Sequence, residues 1–196
     1  MADKEVRPRT LVGLNRDGMY KIFADKGFTK GCEVGVREGN NSFSMLSLIP
    51  GLHLVLVDPY MVYEYRKLKK RNKWKWDLPT MDKIRHKAIR RLGKSNVRWL
   101  MTTSELASKC VEDESLDFVY IDGNHSFDFI TQDLQFWFPK IRKGGIISGH
   151  DYGIRSVRKA VDAFAKFHWS FVQHTDHKEE PSKSKTVVSW MMEKDK

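Results

Sequence analysis

The sequence predicts an α/β fold: a single open sheet, mostly parallel, with helices on both faces. Short apolar runs alternate along the chain with stretches of helical period. Several of these runs are continuous Val, Ile and Leu rather than alternating, as expected of strands buried on both faces of a parallel sheet. The last two runs are joined by a polar connection, which suits an antiparallel hairpin at one edge.

In order, residues 1–29 form an N-terminal helical lead-in, and extended segments follow at 31–36, 53–58, 97–101, 117–122 and 144–149. A helical stretch separates each of these five from the next, as in βαβ units. Ile130, Leu134, Trp137, Phe138 and Ile141 recur at three- and four-residue steps, and so do Val157, Ala160, Val161, Phe164 and Phe167. Two further strands, at 169–174 and 186–192, bring the expected sheet to seven, and the join between them contains Pro181 and no apolar period. Residues 63–94 are a basic insertion and crossover helix, in which Ile84, Ala88 and Leu92 fall at four-residue steps under a basic outer face. There is no internal repeat, and 196 residues suit one domain spanning 1–196.

Hydrophobic residues make up 40% of the chain, enough for a core and too many for a disordered polyampholyte. The longest apolar runs are strand-length, so no membrane span is expected, and the charged N-terminus lacks the apolar block of a signal peptide. A cytoplasmic location is expected. Cys32 and Cys110 are the two cysteines, which excludes a disulfide scaffold and a cysteine-based zinc site. Lys plus Arg number 35 against 25 Asp plus Glu, a net charge of +10 that suits an anionic ligand, nucleic acid or an acidic surface.

Ligands of open α/β sheets bind beyond the carboxyl ends of the strands. The first such end reads Glu33-x-Gly35-x-x-x-Gly39, with Asn40 to Ser42 as a helix N-cap directly after. This is not the Gly-x-Gly-x-x-Gly of dinucleotide sites, and Glu33 would repel phosphate while suiting an ammonium group. Asp58 ends the next strand, 19 residues beyond Gly39, where a carboxylate can accept both hydroxyls of a ribose. Acid, glycine turn and second acid together describe a nucleoside with a positively charged tail, S-adenosylmethionine (SAM).

These blocks resemble those of the class I SAM-dependent methyltransferases, especially small stand-alone O-methyltransferases of the metal-dependent, catechol and sugar types. The likeness continues through Tyr120-Ile-Asp122-Gly-Asn-His125 and Lys143-Gly-Gly-Ile-Ile-Ser-Gly-His150-Asp151-Tyr152, and covers residues 30–192. It implies a Rossmann-like sheet with a terminal antiparallel hairpin. It also implies that Glu33 and Gly35 hold the methionine moiety, Asp58 the ribose and Ser104 the adenine, with Gly39 among the cofactor-binding residues. Asn41 stands where catechol-type relatives carry Ser, and it can donate as well.

Methyl transfer is an in-line displacement that depends on holding the acceptor close to the sulfonium carbon. A hydroxyl acceptor must also lose its proton, which a divalent metal such as Mg or Mn assists as a Lewis acid. Asp122, His150 and Asp151 are the candidate ligands, and the resemblance to sugar O-methyltransferases makes His125 the general base beside Asp122. The alternative is a hydrogen-bonded polar cluster that shapes loops without a metal. Asp133 is expected to be a helix cap or solvated.

The expected acceptor is a small hydroxylated molecule, and the chain's positive charge would suit an anionic one. Asp58-Pro59-Tyr60 follows the wrong strand for an amino-methylating DNA enzyme, and neither Cys follows a Pro as a cytosine-C5 enzyme requires. The run 66–76 interleaves Lys and Arg with Trp74 and Trp76, which suits a nucleic-acid contact, a lid over an anionic acceptor, or a solvated face. A nucleic-acid methyltransferase, or a silent methyltransferase-like module that binds nucleic acid through 63–94, therefore remains an alternative.

Overall fold

A computed structural model describes residues 8–61, 77–168, 172–175 and 188–195. Along the chain lie β1 (Arg9–Leu11), α1 (Arg16–Asp25), β2 (Lys30–Val34), α2 (Asn40–Leu48), β3 (His53–Val57), α3 (Leu78–Leu92) and β4 (Val97–Leu100). The second half holds α4 (Ser104–Ser108), β5 (Leu116–Ile121), α5 (Phe127–Trp137), β6 (Ile141–Gly149), α6 (Arg155–His168), β7 (Gln173–Thr175) and β8 (Trp190–Glu193). The basic run 66–76 and the join 176–187 lie outside the described residues.

One sheet runs in the order β1-β7-β8-β6-β5-β2-β3-β4. Its pairs are parallel except where β8 runs antiparallel to β6 and β7. The mostly parallel sheet and its C-terminal antiparallel hairpin are as predicted, with eight strands in place of seven. The addition is β1, inside the segment expected to be a helical lead-in; its Arg9 N–H donates to the Val172 carbonyl at 2.7 Å and it pairs parallel to β7. Three half-polar residues carry no period of their own, so a distant partner decides their structure.

The strands form where β-branched and apolar residues run without interruption, and all six residues of β5 are buried. Side chains alternate between two core faces. Cys32, Val34, Val55 and Val57 pack with α4, α5 and α6 on one face, while Leu54, Leu56, Phe118 and Tyr120 pack with α1, α2 and α3 on the other. On α3, Met81, Ile84, Ala88 and Leu92 are buried as their spacing predicts, and Asp77 caps the helix by accepting from the Thr80 N–H at 3.0 Å. Ile141, which fits the helical period of its neighbours, instead opens β6, because Pro139 sits in a single 3-10 turn over Phe138–Lys140 that ends the helix.

At the amino ends of the strands Asp117 ties three segments together. It accepts the N–H groups of Thr29 and Lys30 at 2.7 and 2.8 Å and the Arg142 Nε–H at 2.7 Å. Burial acts to raise its pKa, but these donors outweigh burial and hold the carboxyl below its usual range. Asp117→Ala is expected to cost about 2–3 kcal/mol in urea unfolding at neutral pH, since two N–H groups lose a charged acceptor. A pKa lowered by folding stabilises above the ordinary carboxylate value and is lost as pH falls through the folded value. The gap between variant and wild type should therefore narrow in acid.

Candidate active site

The chain leaves β2 towards β3 and β4 on one side, while β5 and β6 lie on the other, so the topological switch falls between β2 and β5. Gly35 follows β2 at φ +94°, and its N–H donates to the Val57 carbonyl at 2.8 Å. A Cβ on Gly35 would overlap the Asp122 carbonyl. Gly39, at φ +73°, caps α2, and a Cβ there would press on Leu92 at 2.8 Å. The predicted side-chain cap among residues 40–42 is not used: α2 has no side-chain N-cap bond, and the Ser42 hydroxyl instead donates to Glu33.

Glu33 lies beneath the glycine turn rather than in it. It is fully buried, and its other oxygen accepts from Asn41 Nδ2 at 2.9 Å. Asn41 in turn accepts the Tyr20 hydroxyl at 2.5 Å, so α1, α2 and β2 share one polar network. Burial lifts the Glu33 pKa to about 8 against the two hydrogen bonds. Glu33, which the sequence assigns to the methionine moiety, has both carboxyl oxygens hydrogen-bonded within this network and braces the turn from below. Tyr20 gives no signal in the sequence.

Asp58 joins two turns. Its Oδ2 accepts the N–H groups of Val36 and Arg37 at 3.1 and 2.9 Å, and its Oδ1 that of Tyr60 at 2.8 Å. The Tyr60 hydroxyl donates to the Arg37 carbonyl at 3.0 Å, and both Arg37 and Tyr60 have positive φ. Burial raises the Asp58 pKa despite the three N–H donors. Beside Tyr60 opens a cleft of about 370 Å³, lined also by Leu78, Pro79, Asp82 and Arg85.

Ser104 begins α4, where its hydroxyl accepts the Trp137 indole N–H at 2.8 Å. It also hydrogen-bonds Asp133, whose pKa burial raises to about 6. Asp133 is 5% exposed, which corrects the expectation of a cap or a solvated residue. The helical period places it towards the core, and Ser104 supplies the partner that makes its burial tolerable.

Beyond β5 and β6 four titratable side chains converge. His125 Nε2 stands 2.9 Å from Asp151 Oδ2 and 3.7 Å from Asp122 Oδ1. His150 Nδ1 faces the same acids, 3.4 Å from Asp151 Oδ1 and 3.8 Å from Asp122 Oδ1. The ligand atoms of Asp122, His125 and Asp151 lie within 4.8 Å of one another. The compact triad therefore contains His125 where the sequence suggests His150. Two anchors fix it: Ser156 Oγ donates to the His125 carbonyl at 2.6 Å, while the His150 carbonyl accepts the Trp190 indole at 3.1 Å. Asp151 turns back at φ +59°. Asp122 and Asp151 raise the His125 pKa to about 9 against burial. Burial acts to raise Asp151, but His125 and His150 outweigh it and hold the carboxyl well below its usual range.

The chain matches the family of the methyltransferase domain over residues 32–152, and it belongs to that family. It is a class I SAM-dependent methyltransferase. No curated protein matches the sequence. Among solved structures it is similar to the O-methyltransferase TomG from Streptomyces achromogenes, involved in tomaymycin synthesis and solved in complex with SAM. That pair is 14% identical with a TM-score of 0.63, covering 91% of this chain and 78% of that one. An rRNA methylase from Streptococcus thermophilus is 12% identical with a TM-score of 0.61, covering 94% and 99%. An O-methyltransferase from Bacillus cereus in complex with SAH is 14% identical with a TM-score of 0.58, covering 94% and 84%. At these identities the likeness is one of fold. Among the described residues no helix is long and apolar enough to cross a membrane.

A folded pKa near 8 for Glu33, against 4.5 ordinarily, means the folded state holds a proton that the unfolded state has lost. Its stabilising effect is complete below about 4.5 and fades as pH rises through about 8. Wild-type stability should therefore decline between these values relative to Glu33→Gln, which cannot titrate. Denaturant midpoints measured from pH 5 to 9 check this, and parallel curves would contradict it.

Proposed function

We propose that this enzyme transfers the methyl group of SAM to a hydroxyl oxygen of a small, anionic acceptor, with metal assistance. The observation that carries this is the convergence of Asp122, His125 and Asp151 at the strand ends next to the switch point. The O-methyltransferases among its structural neighbours support it. In this assignment, Gly35 and Gly39 keep the turn bare for the methionine moiety, with Glu33 and Asn41 bracing it. Asp58 serves the ribose, and Ser104 borders the adenine.

SAM supplies an activated methyl group on a sulfonium. The chain's own task is to align the acceptor oxygen with that carbon and to take the hydroxyl proton. His125 Nε2 is the receiving atom where no ion occupies the site, and it acts from its neutral form, which Asp151 and Asp122 make the minor one below a pH of about 9. The donors also fit a divalent ion, because His125 Nε2 is a buried atom that faces two carboxylates without being aligned for a hydrogen bond to either. Asp122, His125 and Asp151 would hold such an ion, with His150 adjacent, and its chemistry would be Lewis acidity at the acceptor oxygen. One imidazole among the ligands favours Mn over Mg.

Calorimetry with SAM should show binding that survives chelation, while SAH release on a panel of catechols, phenols and sugar hydroxyls should stop with chelator. His125→Ala should keep SAM affinity and lose about 10²–10⁴-fold in rate, with partial recovery at high pH where the acceptor ionises unaided. Mn titration followed by electron paramagnetic resonance separates the two roles of His125. Loss of Mn binding in His125→Ala makes it a ligand, and retained binding makes it the base. Full activity in chelator overturns metal assistance, and an undiminished His125→Ala overturns the role of the imidazole.

A further inference from the structure

We infer that the outer face of α3, continued to Lys94 just past its end, is a docking surface for the phosphate backbone of a nucleic-acid strand. The buried residues of α3 are Met81, Ile84, Ala88 and Leu92. At about 100° per residue, Lys83, Lys87 and Arg90 then fall within a sector of about 60° on the opposite side. All three are exposed, as is Lys94 just past the helix. Steps of three and four residues space the helical cations about 4.5–6 Å apart along the axis. The result is a row rather than a scatter.

The acids nearby neutralise it at Lys87 alone, which Glu38 engages at 2.9 Å, while Asp82 engages Arg85 and His86. Among the described residues, Lys83, Arg90 and Lys94 have no carboxylate partner. Complementing the helix dipole accounts for Arg90 in the last turn. It does not account for Lys83 in the first half of the helix, nor for Lys94 beyond its end.

Cations along one helix face, three of them without a carboxylate partner among the described residues, fit a polymer carrying one charge per repeat, and the chain's net charge of +10 favours such a polyanion. An anionic bilayer fits less well. Insertion needs an exposed apolar stripe, whereas the buried apolar residues of α3 face the core and its exposed ones, Leu78 in the first turn and Ile89, lie eleven positions apart. α3 starts beside the Tyr60 cleft, at the ligand-binding end of the sheet, and runs down its flank. A strand on this row would have one end close to the cofactor side of the molecule.

The test is fluorescence anisotropy of the full chain with a labelled 20-nucleotide single-stranded RNA of mixed sequence, from 50 to 300 mM NaCl. The variant Lys83→Gln/Arg90→Gln/Lys94→Gln is compared with Lys21→Gln/Lys30→Gln/Lys159→Gln. The second set removes the same charge from exposed positions elsewhere. Each phosphate contact contributes about 0.7 to the slope of log affinity against log salt. The α3 variant should lose about 2 units of slope and at least tenfold in affinity at the lowest salt, while the control keeps most of both. SAM calorimetry on both variants checks that the fold and the cofactor site are intact, so failure here is distinguishable from failure of the methyltransferase assignment. Equal slopes in the two variants overturn the inference. So does wild-type protein that ignores RNA and floats with phosphatidylserine vesicles.

Discussion

Gly35 lies so close to the Asp122 carbonyl that no side chain fits between them, and the chain diverges from that contact in opposite directions. The same spot is pinned by the Gly35 N–H on Val57 and the Asp122 N–H on Val34. Three neighbouring strand ends are thereby held in register before any side chain acts. The glycine turn, Asp58 and the acid–histidine cluster inherit their separations from this backbone junction. Side chains then lock the loops: Asp58 ties the turn after β2 to the turn after β3, and Ser156 holds the loop that carries His125.

Two kinds of buried acid surround this junction, and they serve opposite ends. Asp117 at the amino ends is ionised and saturated with donors, as suits a clamp. Glu33 and Asp133 at the carboxyl ends are pushed towards the neutral form by burial. A carboxyl group that burial has raised is sensitive to what approaches it: a cation lowers its pKa, whereas a neutral ligand leaves it protonated. The carboxyl-end acids are thus tuned to the charge of their surroundings, and the amino-end acid is not.

The parts that were legible in the sequence are those fixed locally. The apolar run Leu54-Val-Leu-Val57 must be a strand in this context, Gly35 and Gly39 must turn, and Ile84, Ala88 and Leu92 must face a core. What was hidden depends on partners far along the chain. Ser104 carries no mark that Trp137 and Asp133 will occupy its hydroxyl. Neighbouring Asp122, His125, His150 and Asp151 announce a cluster, but their distances, with both histidines facing both acids and anchors from Ser156 and Trp190, are set by packing. Glu33 was legible as a strand-end acid, while its complete burial under Asn41 and Ser42 is a fact of packing.

β1 shows the same dependence on distance, with a consequence in time. Thr10 and His174 are 164 positions apart, yet they sit side by side at the edge of the sheet. At about 5–20 residues per second of synthesis, β1 waits on the order of ten to thirty seconds before its neighbour β7 exists. Closing so long a loop carries an entropy that must be met before the pairing returns any energy. β1 is thus made well before the strand that seats it, and its seat is the rim of the sheet rather than the centre.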